Sequence, residues 1–237
     1  KKIIFKMEAS RLEKYEEQIF SYFDHHMIIS QQDKESFAFE NAKKIHVVPN
    51  GVDQVFFSPD QSVEKKYDIV FTGNMSYPPN VAAVEFIANK ILPLIWRTLP
   101  HCNFLIAGAE PNSTVKALEN DKVKVTGWMD DIRLAYNEGK IFVAPLNIGT
   151  GLQNKLLEAM SMEIPCISSQ LANNALAAEK DKEILTALEP QEYADLVLEL
   201  LASEEKREKL ATEGKNFIVR NYHWENIILK MEEIMLG

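Results

Sequence analysis

The stretch Ile141-Phe142-Val143-Ala144-Pro145-Leu146-Asn147-Ile148-Gly149-Thr150-Gly151-Leu152-Gln153-Asn154-Lys155-Leu156-Leu157-Glu158-Ala159-Met160 decides the fold. Four consecutive apolar residues read as a buried strand, the Gly-Thr-Gly turn breaks it, and a helix predicted over 152–162 follows. The chain has only nine glycines, so two within three residues mark a point where the backbone needs unusual freedom.

Outward from this unit the same rhythm recurs. Apolar runs lie at 68–71, 103–107, 122–125, 141–144, 164–167 and 184–188, with helices predicted at 81–98, 112–119, 130–138, 152–162 and 172–180. Six strands alternating with helices predict an α/β fold, a doubly wound parallel sheet covered on both faces. The tail over 190–236 reads as three C-terminal helices. The last carries a stripe of Trp224, Ile227, Ile228, Met231, Ile234 and Met235, expected to pack on a protein core because its polar side is mixed rather than basic. Before the sheet, the spacing predicts a helix over 11–23, a strand at 26–29, a helix over 30–42 capped by Ser30, and a strand at 45–48. Pro49-Asn50-Gly51 is turn chemistry, and 49–67 lacks periodicity and reads as a linker.

Composition narrows the function classes. Twenty-six Lys and Arg against 35 Asp and Glu give a net charge of −9, which argues against nucleic acid as a partner. No run of about 18 apolar residues predicts a membrane span. Cys102 and Cys166 sit far apart in strand-like runs and read as buried thiols of a reducing compartment, not as a disulfide or a metal site. The opening Lys1-Lys2-Ile3-Ile4-Phe5 has neither a signal peptide nor an initiating Met, as expected of an excised fragment.

In an open α/β sheet, ligands bind beyond the carboxyl ends of the strands, so the loops there are the candidates. Gly73-Asn74-Met75-Ser76 follows the first strand of the repeating unit; it is not the dinucleotide-binding Gly-x-Gly-x-x-Gly, and Gly73 fits either a tight turn or close approach to a ligand. Gly149-Thr150-Gly151-Leu152 leads into a helix whose free N–H groups and positive dipole end suit a phosphate, and Lys155 adds a full charge there. The Walker spacing is missing. Glu158 cannot touch a phosphate favourably, but it can accept two hydrogen bonds from a vicinal diol such as a ribose. Spacing alone fits equally well an exposed Lys155–Glu158 ion pair. In Gly127-Trp128-Met129, Trp128 could stack on a base, though a strand-end Trp more often packs. Asp130-Asp131 reads as helix capping rather than a metal pair. His25, His26 and His46 lack metal-ligand spacing and read as surface or satisfied histidines.

The set of motifs, in this order, resembles the group 1 (family 4) glycosyltransferases of the GT-B fold: Pro49-Asn-Gly-Val-Asp53, Phe57-Ser-Pro59, Phe71-Thr-Gly-Asn-Met75, Val125-Thr-Gly127 with Asp130 and Asp131, Ala144-Pro-Leu146 through Gly151 to Lys155-Leu-Leu-Glu158-Ala-Met160, and Tyr222-His-Trp224. The resemblance implies two Rossmann-like domains, one for the acceptor and one for a nucleotide-sugar donor. By it, 1–48 are the remnant of the acceptor domain, 49–67 the interdomain linker, 68–220 the donor-binding domain, and 221–237 a terminal helix packing back toward the N-terminal part. Carried over residue by residue, Glu158 matches the second Glu of the family's Glu-x7-Glu motif, which holds the donor ribose. The first falls at Thr150, where backbone N–H groups and the hydroxyl would read the donor sugar. Asn74 stands where the family has Arg, and no basic residue follows until Lys90. The diphosphate is then left to Lys155 and the helix end, with Gly73, Asn74, Gly149, Thr150, Gly151 and Leu152 around the diphosphate and sugar. Gly127, Trp128 and Met129 match the loop near the nucleobase.

The function so implied is a retaining transfer of a sugar from a nucleoside-diphosphate sugar to a glycan or lipid-linked acceptor, as in polysaccharide biosynthesis. No metal or cofactor is expected. The catalytic side chains are expected in the missing domain, with the piece inactive alone and the whole protein cytoplasmic, at most peripheral at a membrane. Two alternatives share the fold: a sugar-nucleotide isomerase of the UDP-GlcNAc 2-epimerase kind, and a non-catalytic scaffold.

Overall fold

A parallel strand buried on both faces needs a helix on each side of the sheet, and the chain supplies them in alternation. The computed structural model describes residues 2–149 and 151–237; Thr150, expected at the donor-sugar turn, lies outside the described residues. Helix α1 (Lys2–Phe20) leads to β1 (Met27–Ile28), α2 (Gln31–Glu35) and β2 (His46–Val47). Then come β3 (Tyr67–Thr72), α3 (Pro78–Phe86), α4 (Leu92–Ile95), β4 (Phe104–Ala107), α5 (Ser113–Lys116), β5 (Val123–Val125), α6 (Arg133–Glu138), β6 (Gly139–Ala144), α7 (Asn154–Ser161), β7 (Cys166–Ser169), α8 (Gln170–Leu176) and β8 (Leu185–Ala187). Three helices close the chain: α9 (Pro190–Ala202), α10 (Glu204–Asn221) and α11 (Trp224–Leu236).

All six strands from β3 to β8 are parallel, in the order β5-β4-β3-β6-β7-β8. Counted from β3, this is the 3-2-1-4-5-6 order of the doubly wound fold, so the strand order reverses between β3 and β6. Ile69, Val70, Phe71, Phe104, Ile106, Ile141, Phe142 and Val143 are all fully buried in the sheet. Cys102 and Cys166 are buried as expected, and burial pushes both thiols up, Cys102 to about 12. A thiol so raised stays protonated and unreactive.

Several elements differ from the sequence reading. The helix predicted over 81–98 starts at Pro78, because proline suits a first turn. It is interrupted by a π-turn at Ile87–Ile91, where the Leu92 N–H bonds the Ile87 carbonyl and Pro93, one residue on, has no N–H to give. The helix predicted over 30–42 stops at Glu35: the Ser36 hydroxyl turns back to the Asp33 carbonyl, and Phe37 and Phe39 then pack edge-to-face. Ser30 does cap this helix, accepting from the Asp33 N–H at 3.0 Å. The helix read at 172–180 ends at Leu176 because Ala177 turns left-handed at φ +60°.

The terminal stripe is the largest correction. Of its six residues only Ile227 is buried, while Trp224, Ile228 and Met235 are exposed. The helix is tied down at one end instead: the Trp224 ring lies on Gly51, leaving no room for a Cβ there, the Val52 N–H bonds the Tyr222 carbonyl at 2.9 Å, and Lys230 Nζ reaches the Val47 carbonyl at 2.7 Å.

Candidate functional site

The reversal between β3 and β6 opens a crevice at the carboxyl ends of the strands. Two turns form its floor. Gly73 ends β3 at φ +154° and Gly108 ends β4 at φ +133°. A Cβ on Gly108 would fall 2.0 Å from the Gly73 carbonyl oxygen, so only glycine permits this approach. The cleft has a volume of about 640 Å³. Gly73, Asn74, Trp128, Met129, Leu152, Lys155 and Glu158 all line it. Gly127, Gly149 and Gly151 adopt left-handed φ of +73°, +92° and +91° and do not themselves line it.

Lys155 stands in the first turn of α7, where among the described residues no side chain caps the helix. Its ammonium donates to Asn80 Oδ1 at 2.7 Å and lies 5.3 Å from the centre of the Phe71 ring. Burial brings Lys155 down to about 8, partly opposed by the nearby Glu158 carboxylate. Glu158 sits one turn deeper. One of its oxygens, Oε2, accepts the Tyr136 hydroxyl at 2.7 Å, and that hydroxyl lies 2.6 Å from Thr72 Oγ1. Since the tyrosine proton goes to Glu158, Thr72 donates to the tyrosine oxygen, and a buried chain runs Thr72 to Tyr136 to Glu158. Burial raises Glu158 above its ordinary value, and raises Tyr136 strongly. The Lys155–Glu158 pair is therefore a feature of the cleft, not an exposed surface pair.

Three side chains around the cleft refine the sequence reading. Trp128 is 75% exposed at the cleft and does not pack. Asn74 lines the cleft with its side chain already bonded: Nδ2 donates to Glu110 of the turn after β4 at 3.1 Å, and Oδ1 accepts from the Ser76 N–H at 2.7 Å. Asp131 does cap the start of α6, as expected: its Oδ1 takes the Arg133 N–H at 3.0 Å, and the Arg133 guanidinium holds this carboxylate below its usual range. Among the described residues, no cluster of three or more His, Cys, Asp or Glu could hold a metal ion. His46 is exposed, and His26 stacks on Phe20 at 3.4 Å with its Nε2 buried and, among the described residues, unpartnered.

Sequence reading missed Asn80, Tyr136 and Thr72. It also missed Asp33 of α2, whose Oδ2 lies 3.2 Å from where a Cβ on Gly151 would sit. Only Asn80 left a local signal, a polar residue on an otherwise apolar first turn after Pro78-Pro79.

Fold and cleft together define a doubly wound α/β protein of the Rossmann-like, GT-B type, with a cleft at the strand-order reversal. The family described as glycosyl transferases group 1 matches residues 66–203, more than half of the chain, and the chain belongs to that family. A curated relative, an uncharacterized 44.6 kDa protein in the cps region of Klebsiella pneumoniae, is 23% identical over 233 residues, covering 94% of this chain and 58% of its own length. The chain thus spans little more than half of that relative. Among solved structures, HepE from Anabaena, in complex with UDP and glucose, superposes with a TM-score of 0.74 at 14% identity, over 89% of this chain and 62% of that one. The C-terminal domain of LpcC, a group 1 family protein from Francisella tularensis, superposes with a TM-score of 0.59 at 21% identity, over 73% of this chain and 99% of that domain.

Proposed function

We propose that this chain is the donor-binding part of a retaining glycosyltransferase that moves a sugar from a nucleoside-diphosphate sugar to a glycan or lipid-linked acceptor. One observation carries the reading: Lys155 and Glu158, one turn apart on α7, face a single cleft at the reversal of strand order. The family membership supports the reaction class. The UDP and glucose held by the Anabaena protein support the ligand class.

The residues divide the work by charge. The uncapped end of α7 and the Lys155 ammonium meet the diphosphate, and they stabilise it most when the bond to the sugar breaks and negative charge develops on the leaving oxygen. Glu158 grips the ribose diol with Oε1, which Tyr136 leaves free. Exposed Trp128 offers an aromatic face to the base. The acceptor and the groups that act on it belong to sequence outside this chain, so alone it binds donor and turns over little.

Isothermal titration with UDP, GDP and ADP tests the reading. Binding of at least one, lost in Lys155→Ala and Glu158→Ala, is expected. No heat with any of the three at millimolar ligand overturns it, and unchanged binding in both variants favours a scaffold that kept only the fold.

A further inference from the structure

Asn80 is 3% exposed, although it lies in the first turn of α3 beside the open cleft. Buried amides are retained where both ends are bonded, and here each end serves a different wall of the site. Its Nδ2 donates to the Asn74 carbonyl at 2.8 Å, fixing the turn after β3. Its Oδ1 accepts from Lys155 Nζ at 2.7 Å, across the crevice on α7. A Cβ on Gly73 would fall 2.7 Å from Asn80 Nδ2, so the glycine makes space for the amide.

The partner given to Lys155 is therefore neutral. An amide oxygen orients an ammonium without cancelling its charge and leaves its other two N–H donors free. A carboxylate at the same place would hold the ammonium more tightly and neutralise it. From this we infer that Asn80 is the positioning residue that aims the Lys155 ammonium at the phosphoryl groups of a nucleoside diphosphate without adding a second negative charge to that of Glu158. The inference rests on the donor-site reading above and adds to it the residue that sets the electrostatics of the site.

The charged and titratable neighbours of Lys155 are few. Glu158 lies on its own helix. From α6 comes Tyr136, whose hydroxyl approaches the Lys155 carbonyl at 3.5 Å. The β5–α6 loop contributes Asp130 and Asp131 to the cleft wall, the latter committed to Arg133. Phe71 and Asn80, which touch the ammonium group from β3 and α3, are uncharged.

The experiment compares Asn80→Asp and Asn80→Ala with the unsubstituted protein, measuring UDP and uridine affinity from pH 6.5 to 9.5 and Lys155 titration by NMR of its side chain. In the unsubstituted protein, UDP affinity falls as pH passes about 8, where Lys155 loses its proton. Asn80→Asp weakens UDP about tenfold at pH 7 by setting a carboxylate beside the phosphates, leaves uridine unchanged, and moves the Lys155 titration upward. Asn80→Ala weakens UDP about threefold and moves the titration downward, because the ammonium loses its acceptor. Equal losses in both variants with an unmoved titration would make Asn80 a mere loop brace and overturn the inference. Should Asn80→Asp fail to fold, an unmoved Lys155 titration in Asn80→Ala overturns it by itself. Failure of the unsubstituted protein to bind UDP, GDP or ADP overturns the donor-site reading and this inference with it.

Discussion

The turns after β3 and after β6 flank the same crevice, yet they are built to opposite ends. After β3, the polar side chains are already bonded within the protein: Asn74 bonds Ser76 and Glu110, Asn80 bonds the Asn74 carbonyl and reaches Lys155 across the crevice, and the first basic residue beyond the strand is Lys90. After β6, the helix end is uncapped among the described residues, and Lys155 stands within its first turn. The β3 side gives the cleft no cation, and the α7 side gives it one, Lys155. Two walls of one pocket need not share its chemistry.

The sharpest way to break this contrast is to remove the charge. Lys155→Ala should lower nucleoside-diphosphate affinity by about 10- to 100-fold, the equivalent of a charged hydrogen bond worth about 1.5–3 kcal/mol. Calorimetric titration reads it directly. A loss under twofold would mean the helix end alone holds the phosphates.

Tyr136→Phe tests whether the α7 side depends on its buried support. It strands Thr72 and releases one oxygen of Glu158. Thermal or urea unfolding should show a loss of about 1–2 kcal/mol. Nucleotide affinity should drop several-fold, with the ribose-lacking ligand pyrophosphate unaffected.

Asn74→Arg sharpens the comparison from the other side by giving the β3 turn a cation. Nucleoside-diphosphate affinity should rise about two- to fivefold at low salt and the gain should fade by 0.5 M salt, as screening of an exposed charge requires. A fall in affinity would show that the Asn74 bonds to Ser76 and Glu110 shape the cleft more than charge does. Smallest is Lys90→Ala: Lys90 is exposed on the π-turn, and neither affinity nor stability should move by more than about 0.5 kcal/mol.

How much of this was legible in the sequence follows from what each signal depends on. The central strands β3, β4 and β6 were readable because each is an apolar run buried on both faces, while the edge strand β5, Val123-Lys124-Val125, was readable by its alternation. Helix α1 was read from residue 11 yet begins at Lys2. Spacing does not register burial: Ile3, Ile4, Phe5 and Met7 in the unread turns are exposed, and so are Leu12 and Tyr15 in the turns that were read. The same reason defeats the α11 stripe: its spacing is helical, but spacing does not say what covers a face. In the site, Lys155 and Glu158 were legible because they follow a glycine turn. Tyr136 was not, and Asn80 showed only as a polar residue in an apolar turn, since the partners that give them a role lie 22 and 75 residues away along the chain. The parallel pairing of β3 with β6 brings them together.

The three tryptophans occupy three different settings. Trp96 donates its ring N–H to the Cys102 carbonyl at 2.8 Å, Trp224 rests on Gly51, and Trp128 stands in water beside the cleft. Trp128, 75% exposed against 42% for Trp224, is the most solvent-open of the three rings and the one that lines the cleft, which makes its emission the natural gauge of a ligand there. A base stacking on that ring dims it while leaving the other two lit, so occupancy of the cleft can be followed in dilute solution without a label.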